Sequence, residues 1–215
     1  MDKFSRKRVE ILKCAAAVFR RRGYYGSSLE SIARAARIKK SNLYYYFKDK
    51  RQILFFWHEY SMDLLLETLQ RPEMVNGSPA EQLHRLITAI IHVSLDDLGG
   101  AASTMNLEAL TATQYAKIAA KRDKISGHVT QIIEAGMDQG DFQPGNAKLV
   151  AFAMLGAINW IPVWFNSRGA ATSKDVARTF ADYLVGHLTK STDPAEIPAD
   201  FAGVSQSPTI TRRQQ

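Results

Sequence analysis

Apolar residues along this chain recur with the period of a helix. Ile11, Ala15, Val18 and Phe19 fall at i, i+4, i+7 and i+8, a single stripe. Arg20, Arg21 and Arg22 place positive charge where a helix C-terminus favours it, and Gly23 is a stop. Leu29, Ile32, Ala33 and Ala36 form the next stripe, with Ser27 and Glu30 at capping-box spacing. A third short helix is expected over residues 39–45. Asp49 and Gln52 repeat the capping spacing and open a longer helix through Ile53, Leu54, Trp57, Tyr60, Leu64 and Thr68. No two-residue alternation is sustained and no hairpin signal occurs, so the fold class is all-α.

The second half has the same grammar. Residues 71–79 break the pattern, and Asn76-Gly77 marks a turn. Ser78, Pro79 and Glu81 then supply an N-cap, a proline at N1 and a glutamate at N3. Helices are expected over residues 82–98, 103–111 and 114–139, with stops at Gly99-Gly100 and Gly140. Residues 149–165 are apolar on nearly all sides. The stretch falls short of about 20 residues and holds Gly156, Asn159 and Pro162, which speaks against a membrane span. A helix buried on two sides is expected instead, by the core and by a partner subunit. Thr172 and Asp175 cap a last helix carrying Val176, Phe180, Tyr183, Leu184 and Leu188. Residues 191–215 have little periodicity and three prolines, and disorder is expected there.

Charge changes the picture most. The net charge is +7. Residues 1–51 hold 15 Lys+Arg against 4 Asp+Glu, whereas residues 52–215 hold 13 against 17. A compact basic module on a mildly acidic body points to a polyanion-binding head, with nucleic acid first among candidates. The single cysteine, Cys14, excludes an intrachain disulfide framework and fits a reducing compartment. Residues 4–8 are charged with no apolar run behind them, so no secretory leader is expected and the expected location is cytoplasmic.

Residues 27–47 read as two short helices joined by a tight turn at Ala36-Arg37-Ile38. Leu29, Ile32, Ala33, Leu43 and Phe47 point inward by their spacing. Lys39, Lys40, Ser41, Tyr44 and Tyr45 are left to face outward, the pattern of a helix-turn-helix whose second helix enters the major groove. Lysine can donate to guanine or neutralise phosphate. Ser41 and Asn42 can bond to bases or phosphates, and tyrosines can meet thymine methyls or phosphate oxygens.

Gly23-Tyr24, the run from Ser28 to Ala33, and the run from Leu43 to Lys50 together resemble the N-terminal domain of the TetR family of transcriptional regulators, over about residues 5–55. The resemblance implies a homodimer of about nine helices per subunit. A DNA-binding head would occupy residues 1–50, and a ligand-binding and dimerisation body residues 51–190. By motif position Ser28, Lys39, Lys40, Tyr44, Tyr46 and Lys50 join the DNA-binding set, Lys50 against the phosphate backbone. Arg37 stands where the family usually has glycine, which implies a strained or altered turn or an added phosphate contact. Lys39 replaces a small polar residue.

Residues 139–142 and 155–165 look like the subgroup that senses acyl-coenzyme A thioesters in lipid or sterol catabolism. That implies an acyl tunnel in the body. Phe152, Trp160, Trp164, Phe165, Met105 and Met154 can supply apolar walls, and Lys117, Lys121, Arg122, Lys124 and Arg168 cations for phosphates. Asn159, inside an apolar helix, needs a polar partner. The ligand set is therefore Met105, Phe152, Asn159, Trp160, Trp164, Arg122 and Arg168. The alternatives are a cationic or hydrophobic drug, for which Glu108 and Glu134 are the candidate acidic groups, or regulation through protein contacts alone.

The expected partners are a palindromic double-stranded operator, a second copy of the chain through the last two long helices, and a small hydrophobic effector; no membrane and no cofactor are expected. The five histidines have no recognised metal spacing and Gly99-Gly100 follows no strand, so no enzymatic function is expected. Ligand in the body would tilt the fourth helix and change the separation of the two recognition helices, which relieves repression.

Overall fold

The computed structural model describes residues 2–95 and 106–189. Among them the chain forms nine α-helices and one 3-10 turn. The head comprises α1 (Lys3–Arg22), α2 (Leu29–Ala35) and α3 (Lys40–Tyr46). The long α4 (Lys50–Leu69) leaves it for the body, followed by the short α5 (Pro72–Val75) and by α6 (Pro79–Leu95). A 3-10 turn (Leu107–Ala109) precedes α7 (Ala112–Asp138), α8 (Ala147–Trp164) and α9 (Ser173–Thr189). Met105, the glycine stop at 99–100, the start of the helical stretch expected at 103–111, and the tail from 191 lie outside the described residues; the end of that stretch is the 3-10 turn.

Local sequence explains where the helices begin. The Asp49 carboxylate accepts from the Gln52 N–H at 2.7 Å, Ser78 and Glu81 bond reciprocally, and Thr172 and Asp175 do the same. One cap is corrected by a single residue. Ser28, not Ser27, caps α2, in a reciprocal box with Ser31. Ser27 is buried and donates to the Tyr24 carbonyl at 2.6 Å, while Glu30 pairs with Arg34 on the outside. The one-residue shift follows from the wound loop at 23–27, which absorbs Ser27 before the helix can start.

Two apolar cores result. The head core gathers Ile11, Leu12, Phe19, Ile32, Leu43 and Phe47 with Ile53, Leu54 and Trp57 of α4, and also takes in Leu110 and Ile118 from much later in the chain. The head core thus runs past residue 50. The body core lies between α4, α6, α7, α8 and α9, with α6 packed most extensively on α9 and α7 on α8. Helix α8 buries Ala147, Ala151, Met154, Ile158 and Ile161, one stripe at helical spacing. Leu149, Phe152, Trp160, Val163 and Trp164 on its remaining surface stay exposed. Within this subunit α8 is therefore buried on one side only.

Candidate DNA interface and body cavity

The turn between α2 and α3 is where sequence and backbone disagree most. Arg37 has φ 54°, the left-handed region that glycine occupies at little cost. The conformation holds because Ile38 N–H bonds the Ala33 carbonyl at 3.0 Å and Arg37 N–H the Arg34 carbonyl at 3.2 Å. Lys39 then stands at the N-cap of α3 and supplies no side-chain cap bond. Both positions thus give up a local stabilisation and present a cation instead.

With Leu43 and Phe47 fully buried, α3 is fixed on its inner side. Lys39, Lys40, Ser41, Asn42, Tyr44 and Tyr45 are all exposed. The other expected contacts are placed differently. Tyr46 is half-buried and stacks on Phe4 at 5.2 Å, with Tyr45 edge-on to both rings. Ser28 is engaged as the α2 cap. Lys50 is turned inward: its ammonium donates to the carbonyls of Tyr24 and Ser27 at 2.6 and 2.8 Å and lies 4.3 Å from the centre of the Tyr24 ring. Partial burial pushes that ammonium below the usual lysine range. Its place here is to brace the α1–α2 loop.

Sequence reasoning missed Arg8. Its guanidinium lies 3.9 Å from the Phe56 ring centre and 4.9 Å from that of Phe47, pinning α1 to the end of α3 and to α4. Burial lowers its pKa.

In the body a cavity of about 460 Å³ opens between α4, α6, α7 and α8. Met62, Leu65, Ile90, Val93, Ile125 and Leu155 give it apolar walls; Ser61, Ser94, Ser126, Asn159, Arg122 and Asp123 give it polar points. Phe152, Asn159 and Arg122 of the expected ligand set line it. Trp160, Trp164 and Arg168 do not. Trp160 is 64% exposed, Trp164 stacks on Phe180 of α9, and Arg168 lies in the exposed loop after α8. The reason is rotational: Phe152, Leu155, Gly156 and Asn159 share one α8 stripe, and the tryptophans lie beyond its edge. Lys117 and Lys124 are exposed and line no part of the cavity, and Lys121 is held by Asp63 and Glu59 of α4 at 2.6 and 3.6 Å. Glu134 is exposed and Glu108 meets the head; the acidic group at the cavity is Asp123. The signal for the α7 wall was present in Tyr115, Ala119, Arg122 and Ser126, at i, i+4, i+7 and i+11. Small and polar side chains hide such a stripe from a search for apolar residues.

A helix-turn-helix head with an exposed basic recognition helix, carried on a hollow helical body, defines a DNA-binding regulator with a ligand-sized chamber. Residues 11–55 match the family described as bacterial regulatory proteins, tetR family, and residues 76–188 match the tetracyclin repressor-like C-terminal domain. The chain belongs to the TetR family of transcriptional regulators, which are not enzymes. It is 24% identical over 190 residues to the HTH-type transcriptional repressor KstR2 of Mycolicibacterium smegmatis, covering 86% of this chain and 92% of that protein. The TetR family regulator PfmR of Thermus thermophilus superposes with a TM-score of 0.76 at 25% identity, over 84% of this chain and 99% of that one. AibR, solved with isovaleryl coenzyme A and operator DNA, superposes with a TM-score of 0.71 at 28% identity, over 85% and 98%.

Proposed function

We propose that this regulator is a cytoplasmic homodimeric repressor that grips a palindromic operator and is released by an acyl-coenzyme A thioester. The observation that carries the reading is the cavity, whose apolar walls suit an acyl chain and whose α4 wall is continuous with the head. Arg122 is the cavity's cation for a phosphate, and Ser61, Ser126 and Asn159 offer polar partners for a thioester or amide. AibR, of similar fold, was crystallised with such a thioester.

The dimer reading rests on the uncovered apolar face of α8. Leu149, Trp160 and Val163 are 63, 64 and 59% exposed, a patch that a second copy would remove from water. Tyr183 of α9 is exposed to the same degree, 63%, and α9 meets α8 where Phe180 stacks on Trp164. Two recognition helices would then lie about one DNA turn apart, roughly 34–36 Å. A ligand that wedges α7 and α8 away from α4 alters that spacing, and release follows from a preference of about 1–3 kcal/mol for the splayed state.

Asp123 at the cavity favours a second reading, an aromatic cation held between its carboxylate and Phe152 or Tyr115. A thermal-shift screen separates the two. The proposal expects melting temperatures to rise with acyl chain length across acyl-CoAs and to stay flat with free coenzyme A. A rise with cationic dyes alone would overturn it in favour of the second reading.

A further inference from the structure

The head is fastened to the body twice. One fastening is α4. The other is the segment from Asn106 to Ile118, far from the α1–α2 loop in sequence. Leu110 and Ile118 are buried in the head core, 9 and 1% exposed, and Leu107 and Ala109 pack beside them. Tyr25, in the loop before α2, donates its hydroxyl to Glu108 Oε1 at 3.1 Å. The Asn106 amide donates to the same oxygen at 3.2 Å. Asn106 itself has φ 54°, the other non-glycine residue in the left-handed region besides Arg37 among the described residues. Asparagine adopts this conformation more readily than most other non-glycine residues, and here it opens the 3-10 turn that carries Glu108.

We propose that Tyr25 and Glu108 are positioning residues for DNA binding: together they lock the head against the 3-10 turn that leads into α7, so that the two heads of a dimer stand at a fixed separation. The geometry of α7 gives this lock its reach. Its N-terminal turns carry Ile118 into the head core, while Tyr115, Ala119 and Arg122 of the same turns line the cavity. One rigid element thus touches both, and the Lys121 bridges to Asp63 and Glu59 tie it to α4 between them. Tyr25 is 68% exposed, so its ring adds little burial to the head; the bond to Glu108 is its principal polar attachment to the body. A lock of this kind acts on the relation between two half-sites and leaves each half-site contact alone.

The inference rests on the dimer reading above, and its test keeps the two apart. A palindromic duplex is first chosen by in vitro selection on the full-length wild-type protein. Fluorescence anisotropy then compares that duplex with a single half-site for the wild type, Tyr25→Phe, Glu108→Ala and the double variant. The wild type is expected to favour the palindrome strongly, because the second contact is intramolecular. Tyr25→Phe is expected to weaken palindrome binding roughly three- to tenfold with half-site binding unchanged. The double variant is expected to lose no more than either single variant. The Tyr25→Phe protein should also tolerate a base pair inserted between half-sites better than the wild type.

Equal losses on palindrome and half-site would make Tyr25 a direct DNA contact and overturn the lock. No loss on either, with the wild-type preference intact, would overturn it as well. A wild type without any preference for the palindrome would instead sink the dimer reading on which the lock depends. Thermal melting of each variant within a degree or two of the wild type excludes a loss through unfolding.

Discussion

The head and the body solve opposite problems with the same helices. In the head, every large apolar side chain of α1, α3 and the start of α4 that faces inward finds a partner: Phe19, Phe47 and Trp57 are essentially inaccessible. In the body, α8 buries one stripe, lines a cavity with a second and leaves a third uncovered. A packed head holds the backbone of α3, and so its exposed basic face, in one place. A hollow, one-sided body can be completed by other molecules, a ligand inside and a second subunit outside. On the proposed reading, close packing goes with the part that must hold one shape, and its absence leaves room for a ligand and a second subunit.

The largest expected effect tests the packed side. Trp57 is fully buried and stacks on Phe19 at 5.9 Å, so Trp57→Ala should cost about 3–5 kcal/mol in denaturant unfolding. A loss under about 1 kcal/mol would mean that the head core is not closely packed around Trp57. The uncovered side comes next. Trp160→Glu places a charge on the exposed α8 face, and analytical ultracentrifugation should show dimer giving way to monomer, a loss of at least about 2 kcal/mol in association. A dimer of undiminished affinity would move the interface elsewhere.

The turn before α3 is an exception inside the packed head. Arg37→Gly relieves a left-handed non-glycine residue and should raise stability by about 1–2 kcal/mol; Lys39→Ser restores a cap worth about 1 kcal/mol. Both variants should bind duplex DNA less tightly with a shallower salt dependence, by about 0.9 in slope for each phosphate left without its cation. Stability falling in Arg37→Gly would show that its guanidinium holds the turn together. The smallest pair contrasts two glycines. An added Cβ at Gly156, beside the cavity, meets nothing within 4 Å, so Gly156→Ala should stabilise by about 0.5–1 kcal/mol in thermal melts. Gly26→Ala in the head would press its Cβ onto the Arg22 carbonyl oxygen and should destabilise.

The same contrast governs what the sequence made legible. In the head, stripes such as Ile11, Ala15 and Phe19 and the Asp49 cap mark helices directly, and the outward set from Lys39 to Tyr45 follows from burying Leu43 and Phe47. The motif position of Lys50 points to the phosphate backbone, and nothing in the local sequence tells of the Tyr24 and Ser27 carbonyls that hold its ammonium in this structure. In the body, Trp160 and Trp164 looked like cavity walls because aromatic size is visible in sequence and rotation about the helix is not. The actual walls are apolar side chains such as Met62, Leu65, Ile90 and Leu155, and among them Ser61, Ala119, Ser126 and Gly156 leave room by their small size, which also hides them from a search for apolar stripes. The contact of Tyr25 with Glu108 joins distant segments, and no local pattern announces it.

The most direct test of the link between hollow body and rigid head is release of DNA by ligand. A fluorescent palindromic duplex bound to the full-length protein would be titrated with isovaleryl-CoA, longer acyl-CoAs and free coenzyme A, with anisotropy as the readout. The account predicts that a thioester which raises the melting temperature also frees the duplex, in the same concentration range, while free coenzyme A does neither. A thioester that stabilises the protein and leaves the duplex bound at saturation would contradict it, because the cavity would then be occupied without moving the heads.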